Sequence, residues 1–355
     1  MSSATAPQVQ YARGHDVTRR STQEEPREAS RLTTTVPKEY VHRASLAEVF
    51  LTGCEKTDES TFALTGQWPR AHTFFNNPAS RSHDHLQAVE TIRQIGIFLA
   101  HSEFGIPLGY QFVMRDISAT TYPEYLGIGH TPSDLAIETV FTKERRDTVL
   151  GVEITIRRDE HVVAIGSGHF TCVSPAAYRR LRGSALMTEI DYQPTGQTPS
   201  DYGRTLPIDL VLAPTEHHNL WRLNPDPSHP VMFDHGGDHM PGMVLLEAAR
   251  QAACALLGPD TSVLPTTTVN RFQRYTEFST PCWIEAVELP AQQPGLFSVQ
   301  VTGHQNGRQV FDSQLSGPRV PSPRTAPGRL EGLSTHLASP FTGAIPGAMA
   351  VGVSS

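Results

Sequence analysis

A charged five-residue pattern, Glu-x-x-Arg-Gln, occurs twice in this chain of 355 residues, at 90–94 and at 247–251. Glu90 and Glu247 lie 157 positions apart (247 minus 90). In a helix, the Glu, Arg and Gln of one copy share a face, because residues three and four apart are neighbours. Glutamate can act as a general base, and arginine can hold a phosphate or carboxylate through paired N–H donors. The repeat therefore predicts a polar site on each of two helices.

Each copy lies in a run of mostly apolar residues, at 86–104 and 243–257, that is typical of a helix. A helix that is apolar on nearly every side belongs in the interior of a protein. A charge placed there is costly unless it is paired or used in chemistry, so a functional role is favoured over an ordinary ion pair on a solvated face. Burial also predicts a raised glutamate pKa, which suits a general acid or base.

The loops before the two helices contain residues that could contact a ligand. Pro241 and Gly242 precede the second helix, where free backbone amides could polarise a carbonyl or hold an anion. Histidines crowd both loops: His72, His83, His85, His229, His235 and His239. Their spacing does not match that of a zinc hydrolase, so no metal is predicted. Hydrogen-bonded loop histidines are the default interpretation, with His235 as a candidate site residue.

The order of predicted elements repeats in the two halves. Strand candidates of the first half lie at 47–51, 62–68, 111–117, 136–142, 149–157 and 162–172, and those of the second at 210–212, 220–223, 267–273, 283–289, 297–302 and 309–315. Residues 158–161 and 306–307 are predicted hairpin turns. The predicted fold class is α+β, in which an antiparallel sheet wraps a long central helix twice and the halves pack as a pseudo-dimer.

The domain boundaries follow from this repeat. We predict a first domain at 37–182, a linker at 183–205 and a second domain at 206–320. The linker carries Gly, Ser and Pro. The segments 1–36 and 321–355 are predicted to be disordered tails, because Ser, Thr, Arg and Glu are abundant in the first and Pro, Gly, Ser and Ala in the second.

The bulk composition narrows the function classes. A net charge of −7 gives no reason to expect nucleic acid or an anionic membrane as a partner. No apolar run reaches the roughly 20 residues that a membrane span needs, and the N-terminal segment lacks a hydrophobic signal core. The four cysteines form no Cys-x-x-Cys pair, which fits a reducing cytoplasm. We therefore expect a cytoplasmic protein and leave a homodimer open.

Two resemblances rest on the motifs. Residues 241–251, Pro-Gly-Met-Val-Leu-Leu-Glu-Ala-Ala-Arg-Gln, resemble the hotdog-fold signature of β-hydroxyacyl carrier-protein dehydratases. More closely, the span from about Val36 to Pro318 resembles the A-factor biosynthesis family, which makes γ-butyrolactone signals in actinomycetes. The motifs that carry this second resemblance are residues 41–45, 68–75, 90–94, 101–109 and 233–251.

The family resemblance implies two tandem hotdog domains and an acyltransferase. A β-ketoacyl group would leave the phosphopantetheine thioester of an acyl carrier protein for the hydroxyl of dihydroxyacetone phosphate. The phosphorylated ester formed would be the precursor of a γ-butyrolactone or related furan signal. The resemblance implies no further cofactor, because the carrier protein supplies the phosphopantetheine arm.

The resemblance also implies roles for the candidate residues. Glu90 is the first choice for the base and Glu247 the second, whereas Arg250 is the first choice for the phosphate and Arg93 the second. The amide of Gly242 would hold the thioester oxyanion. The other candidate substrate-binding residues are Gln94, Gln251, His72 and His235. Both helices are expected to present acid and guanidinium groups to one shared, water-poor chamber.

The sequence departs from the dehydratase pattern at its histidine. That pattern places a histidine fourteen residues before the glutamate, whereas His235 stands twelve before Glu247 and Phe233 takes the fourteenth position. The first half also lacks the Pro-Gly entry to its helix. Two alternatives remain open: a hotdog dehydratase or thioesterase, and a non-catalytic protein that binds an acyl ligand.

Overall fold

Each half of the chain contains two or more strands, then a long buried helix, then at least four further strands. The computed structural model describes residues 33–77, 81–143, 149–183, 189–259, 261–291 and 293–321. The first half contains β1 (Leu51–Lys56), β2 (Thr61–Trp68), β3 (Asn76–Asn77), β4 (Ser82–His83), α1 (His85–Ser102), β5 (Gln111–Thr121), β6 (Ser133–Lys143), β7 (Val149–Arg158), β8 (His161–Val173) and α2 (Pro175–Arg182). The second contains β9 (Leu212–Pro214), β10 (Leu220–Leu223), α3 (Gly242–Leu257), β11 (Thr261–Val263), β12 (Thr267–Phe272), β13 (Trp283–Glu288), β14 (Leu296–Gln305) and β15 (Arg308–Pro321).

Short 3-10 helices connect several of these elements. They lie at Lys38–Val41, Leu46–Glu48, Pro123–Tyr125, Pro199–Tyr202 and Pro207–Asp209 in the described residues. The first ends at His42, whose backbone is left-handed (φ 53°, ψ 54°). That turn redirects the chain immediately before Arg43.

One antiparallel sheet runs through both halves. Its order in the described residues is β1-β2-β6-β7-β8-β5-β12-β15-β14-β13-β10-β9, with β11 pairing β15 at the side. The halves join where β5 pairs β12, with Ser118 opposite Val269. The order reads the same from either end when the elements of one half are replaced by their counterparts, which is the arrangement of a pseudo-dimer. Both halves lie in a single compact unit that begins at Thr35.

The two central helices are buried by the sheet that wraps them. All residues of α1 except Arg93 and Ser102 are buried, and α3 is buried from Met243 to Cys254. Burial of their Leu, Ile and Val side chains stabilises the fold by about 1.5–3 kcal/mol for each side chain. Gly166 on β8 allows α1 to approach closely, because a Cβ there would lie 2.4 Å from Cδ1 of Ile92.

The predicted α+β class and the repeat of elements are confirmed. Both helices and the two hairpin turns stand where predicted; Asp159, Glu160, Asn306 and Gly307 all have positive φ, as the turn type demands. The strand predicted at 47–51 is wrong, because a 3-10 helix occupies Leu46–Glu48 and β1 begins only at Leu51. Helix α2 was not predicted.

The predicted tails lie almost entirely outside the described residues, at 1–32 and 322–355. Val36, the last residue of the first predicted tail, is buried, and its amide donates to the carbonyl of Leu51. Within the predicted linker, Tyr202 and Arg204 are also buried. The domain boundaries themselves stay a prediction.

Candidate functional site

Glu90 lies on α1 at the centre of a buried cluster of charges. Its carboxylate accepts hydrogen bonds from Nε and Nη2 of Arg93 and from Nε2 of Gln94, all at 2.8 Å. Arg43 donates from Nε at 3.0 Å and places Nη2 2.6 Å from Oε1 of Glu90. The helix spacing aligns the first three groups, and the left-handed turn at His42 brings in Arg43.

Glu247 on α3 has the same set of partners. Its carboxylate accepts hydrogen bonds from Arg250 at 2.9 and 2.6 Å and from Gln251 at 2.6 Å. Arg204 donates from Nε at 2.7 Å and from Nη2 at 2.5 Å. Arg204 therefore corresponds to Arg43, and each glutamate is held between two guanidinium groups.

The raised pKa predicted for these glutamates is wrong. Both carboxylates are 0 % exposed, and burial alone would raise the pKa. The charges of Arg43 and Arg93, together with the hydrogen bonds to Glu90, outweigh burial and lower the pKa of Glu90 to about 2. Arg204 and Arg250 likewise lower the pKa of Glu247 to about 2. Both groups are stable anions that hold arginine side chains, and neither lines either of the two cavities described below, so neither is placed to take a proton from a substrate.

The two glutamines attach the helices to nearby backbone segments of the same chain. Nε2 of Gln94 donates to the carbonyl of Glu48 at 2.7 Å, and Oε1 accepts from the amide of Phe50 at 3.0 Å. Gln251 makes the same pair of bonds to the backbone of Asp209 and Val211, at 2.7 and 3.0 Å. Both side chains are buried and lie outside the two cavities described below, so their predicted contact with substrate has no geometric support.

His72 also has a structural role and lines neither of the two cavities. Its Nδ1 accepts hydrogen bonds from the amides of Phe74 and Phe75, at 3.2 and 3.1 Å. His229 does the same in the second half for Val231 and Met232, at 3.1 and 3.0 Å. The two histidines shape equivalent turns, which explains their matching positions in the sequence. The prediction that His72 contacts substrate is therefore not supported by the structure.

These turns carry the contacts between the two charge clusters and the opposite halves. Nη1 of Arg43 donates to the carbonyl of Val231 at 3.1 Å, and Nη1 of Arg204 donates to the carbonyl of Phe74 at 2.6 Å. Asp234 accepts from the amide of Ala44 at 2.7 Å. Each cluster is completed by the other half, so the site cannot be assigned to one domain alone.

A cavity of ≈ 950 Å³ lies between the halves and contains the open side of the first cluster. We call it the large cavity. Its polar wall includes His42, Arg93, His235 and the start of α3 at Gly242. Apolar residues line much of the rest, among them Ile97, Phe112, Met114, Phe170, Met243 and Leu246, and further polar residues include Asp238, His239, Tyr275 and Glu277. A pocket that combines apolar walls with polar groups is typical of sites for amphipathic ligands.

A second cavity of ≈ 300 Å³, the small cavity, contains the open side of the second cluster. Arg250 lines this cavity, together with Asp84 and His85 from the first half. The guanidinium groups of Arg93 and Arg250 therefore face different cavities, and the single shared chamber predicted from the sequence is wrong. Arg93 is the more accessible of the two, with 18 % of its side chain exposed against 6 % for Arg250.

The N-terminus of one central helix lies at each cavity, and the two N-termini are capped differently. At the large cavity, α3 starts after Pro241 without a side-chain cap, so the amides of Gly242 and Met243 remain available to a ligand. At the small cavity, the carboxylate of Asp84 caps α1 by accepting from the amide of Leu86 at 2.9 Å. An anion can therefore approach the helix start in the large cavity, whereas a carboxylate already occupies the equivalent place in the small one.

Comparison with known proteins identifies the family. The model of the A-factor biosynthesis hotdog domain matches residues 24–174 and 203–317. The chain belongs to the A-factor biosynthesis family. A relative from Streptomyces virginiae, named 2-oxo-3-(phosphooxy)propyl 3-oxoalkanoate synthase, is 47 % identical over 81 % of this chain and 99 % of that protein. A protein of the same name from Streptomyces griseus is 36 % identical over 79 % of this chain and 95 % of its own length.

A solved structure also resembles this A-factor biosynthesis protein. The 12:0-ACP thioesterase from Umbellularia californica aligns with 74 % of this chain and 100 % of its own, at 10 % identity and a TM-score of 0.46. The two matched segments of the family model coincide with the two halves of the sheet. Two tandem hotdog domains are therefore confirmed by the family match and by the fold itself.

The remaining predicted groups of this family member divide between the cavity and the surface. Gly242 and His235, two of the predicted site residues, both line the large cavity. His235 has 55 % of its side chain exposed.

In the described residues, no three His, Cys, Asp or Glu side chains are placed to hold a metal ion. No described helix is both long and apolar enough to cross a membrane.

Two functional candidates were missed by the sequence analysis. His42 lines the large cavity and its Nε2 lies 2.9 Å from Nε2 of His101, which stands in the last turn of α1. Both residues fall inside the motifs at 41–45 and 101–109 that carry the family resemblance. Their separation of 59 positions gave no spacing signal, because only the fold of the first 3-10 turn brings them together.

The buried glutamates predict a loss of stability in acid. A carboxylate whose pKa falls from its ordinary 4.5 to about 2 on folding stabilises the native state above pH 4.5. That contribution disappears as the pH falls from 4.5 towards 2, because the unfolded chain binds the proton first. We expect the urea midpoint to fall steeply between pH 5 and 3. Urea titrations across this range test it, and a flat profile would contradict the assigned ionic state.

Proposed function

We propose that this protein is an acyltransferase that moves a 3-oxoacyl group from a thioester to the hydroxyl of dihydroxyacetone phosphate. The product is the phosphorylated ester named in its relatives, a 2-oxo-3-(phosphooxy)propyl 3-oxoalkanoate. The observation that carries the proposal is the 47 % identity to a synthase of that name, over 99 % of that protein. This ester is the precursor of a γ-butyrolactone or related furan signal.

The large cavity suits the acyl donor. Its apolar wall, which includes Ile97, Phe112 and Leu246, can accept an acyl chain. The thioester carbonyl would then lie at the polar end, near the start of α3. Free amides at Gly242 and Met243 can donate to the oxygen as it becomes negative, and they need no reorganisation to do so.

Arg93 suits the phosphate of the acceptor better than Arg250 does. Its Nε and Nη2 are used by Glu90 and Val41, whereas Nη1 makes no hydrogen bond to any described residue. Glu90 therefore positions the guanidinium group and leaves donors free towards the large cavity. A fixed arginine is a strong phosphate ligand because its hydrogen bonds are charge-assisted. We assign Glu90 a positioning role rather than the role of the base.

An acyl carrier protein is the proposed donor. Helix α2 borders the large cavity through Tyr178, while Arg179, Arg180 and Leu181 on the same helix are exposed. Arg182 is anchored by Asp238 at 2.7 Å and by Glu277 at 2.6 Å, which fixes the helix. Exposed positive charge beside a cavity entrance in a chain of net charge −7 supports the docking of an acidic partner.

The mass of the reaction product distinguishes the candidate functions. The purified protein is mixed with dihydroxyacetone phosphate and a 3-oxoacyl thioester on either acyl carrier protein or free pantetheine. We expect a phosphate-containing ester, formed faster from the carrier-bound donor. Free 3-oxo acid in equal amount with and without the triose phosphate would indicate a thioesterase. Water loss from a 3-hydroxyacyl donor would indicate a dehydratase, and tight donor binding without turnover would indicate an acyl-binding protein.

A further inference from the structure

We propose that His42 is the general base that removes the proton from the acceptor hydroxyl, and that His101 is a positioning residue that fixes its tautomer. This inference rests on the proposed acyl transfer and names the group that carries its proton. His42 lies in the wall of the large cavity with Arg93, the proposed phosphate ligand. His101 lies behind it, outside the cavity lining.

The hydrogen bonds determine which nitrogen of His42 is free. Nδ1 of His101 lies 2.6 Å from the carbonyl of Ile106, which can only accept, so this nitrogen carries the proton. In neutral His101, Nε2 is then an acceptor. The partner at 2.9 Å, Nε2 of His42, must donate to it. Neutral His42 consequently has an unprotonated Nδ1, which makes no hydrogen bond to any described residue.

The rings are held in place by aromatic neighbours. Phe112 meets the ring of His42 edge-on with centroids 5.0 Å apart, and Tyr40 stacks on His101 with centroids 5.8 Å apart. Packing on both sides restricts rotation of the imidazoles. A base that is held at one orientation before the substrate arrives is what proton transfer in a transition state requires.

The second half shows that the fold does not need this pair. His42 precedes Arg43 in a left-handed turn, and its counterpart before Arg204 is Gly203, also left-handed with φ 68°. His101 lies eleven residues after Glu90, and the residue eleven after Glu247 is Gly258. A non-glycine residue in the left-handed region is disfavoured, and such residues cluster at functional sites. The pair is therefore present only in the half whose charge cluster opens to the large cavity.

The proton balance is complete without a further reactant. The hydroxyl oxygen of the acceptor attacks the thioester carbon while its proton passes to Nδ1 of His42. A C–O bond forms, and collapse of the tetrahedral intermediate breaks the C–S bond. The leaving sulfur takes the proton from Nδ1, which gives a free thiol and returns His42 to its starting state.

Burial and the nearby cation of Arg93 keep His42 unprotonated in the free protein. Burial, followed by the positive charge of Arg93, lowers the pKa of His42 to about 3. A phosphate bound at Arg93 would offset that positive charge and raise the proton affinity of His42 when the acceptor is in place. Because the free base persists below pH 6.5 in the unliganded protein, we expect kcat/KM, which reports the free enzyme, to fall only in more acidic solution.

Two substitutions that tolerate the left-handed turn test His42. His42→Gly matches the residue of the other half, and His42→Asn keeps polarity at a position that asparagine accepts. Both should fold, as thermal unfolding will show, and bind dihydroxyacetone phosphate normally by calorimetry. We expect kcat to fall by about 10²–10⁴-fold in each. Added imidazole should restore part of the activity of His42→Gly, because the cavity can admit it.

The His101 variants separate positioning from packing. His101→Phe keeps the stacking but removes both hydrogen bonds, and we expect about a 10-fold lower kcat and an altered pH–rate profile. His101→Gln can accept from His42 and donate to Ile106, so it should recover most of that loss. Near-normal kcat in both His42 variants, or a loss that imidazole leaves unchanged, would overturn the assignment. A wild-type protein that makes no phosphorylated ester would instead refute the proposed function.

Discussion

Replacing Glu247 with alanine is expected to remove about 3–5 kcal/mol from the free energy of unfolding. The substitution leaves Arg204 and Arg250 buried side by side without their shared counterion. It also removes the acceptor of a Gln251 hydrogen bond. Like charges in a buried environment repel each other, and each has lost its hydration. A single variant could therefore remove a large part of the stability of the domain pair.

Urea denaturation measures this effect, and an exposed glutamate provides the control. Glu138 has 68 % of its side chain exposed and lies 3.6 Å from Arg157. Glu138→Ala should cost less than about 1 kcal/mol. Glu247→Gln keeps the shape of the side chain but not its charge, so it should remain strongly destabilised. A Glu247→Ala protein as stable as the Glu138→Ala control would refute a structural role for the buried carboxylate.

Replacing Arg93 with alanine is expected to lower kcat/KM for dihydroxyacetone phosphate by about 10²-fold. Hydrogen bonds to charged groups contribute about 1.5–3 kcal/mol, and this arginine is proposed to supply them to the phosphate. Arg93→Lys keeps the charge but loses the planar pair of donors, so it should recover only part of the activity. Steady-state kinetics with varied acceptor concentration measure both.

Arg250→Ala is the informative comparison, because sequence analysis favoured Arg250 for the phosphate. We expect this variant to lose stability, since it removes one of the two cations that hold Glu247, and to keep its KM for the acceptor in the folded fraction. Arg115 is exposed on β5 and lies outside both cavity walls. Arg115→Ala is therefore the control, because it removes the same charge away from either cavity. A folded Arg250→Ala protein with a greatly raised KM, beside a normal Arg93→Ala protein, would move the phosphate site to the small cavity.

Local patterns were sufficient to predict the two central helices, most strands and the duplication. Apolar periodicity marks α1 and α3, and Asn306-Gly307 marks the last hairpin, because these signals lie within a few neighbouring residues. The state of Glu90 could not be predicted in the same way. Its second guanidinium partner, Arg43, comes from 47 positions away, and the charge of Arg43 is the largest of the contributions that lower the pKa of Glu90.

The sequence alone also could not show which cavity each predicted site residue lines. Gly242 and His235 were predicted as site residues and do line the large cavity, but the separation of Arg93 from Arg250 depends on how the halves are packed. The proline at 241 and the aspartate at 84 were visible in the sequence. Their significance as an open and a capped helix start appears only when the two halves are compared.

Joining the halves within one polypeptide has a consequence for how the site could specialise. An assembly of two identical subunits must carry every substitution on both sides of its symmetry axis, so a gain at one pocket is repeated at the other. In a fused chain, the residue before each outer arginine can differ, and here it is His42 on one side and Gly203 on the other. One pocket is thereby free to acquire reactive groups while its twin keeps the backbone geometry that supports them both.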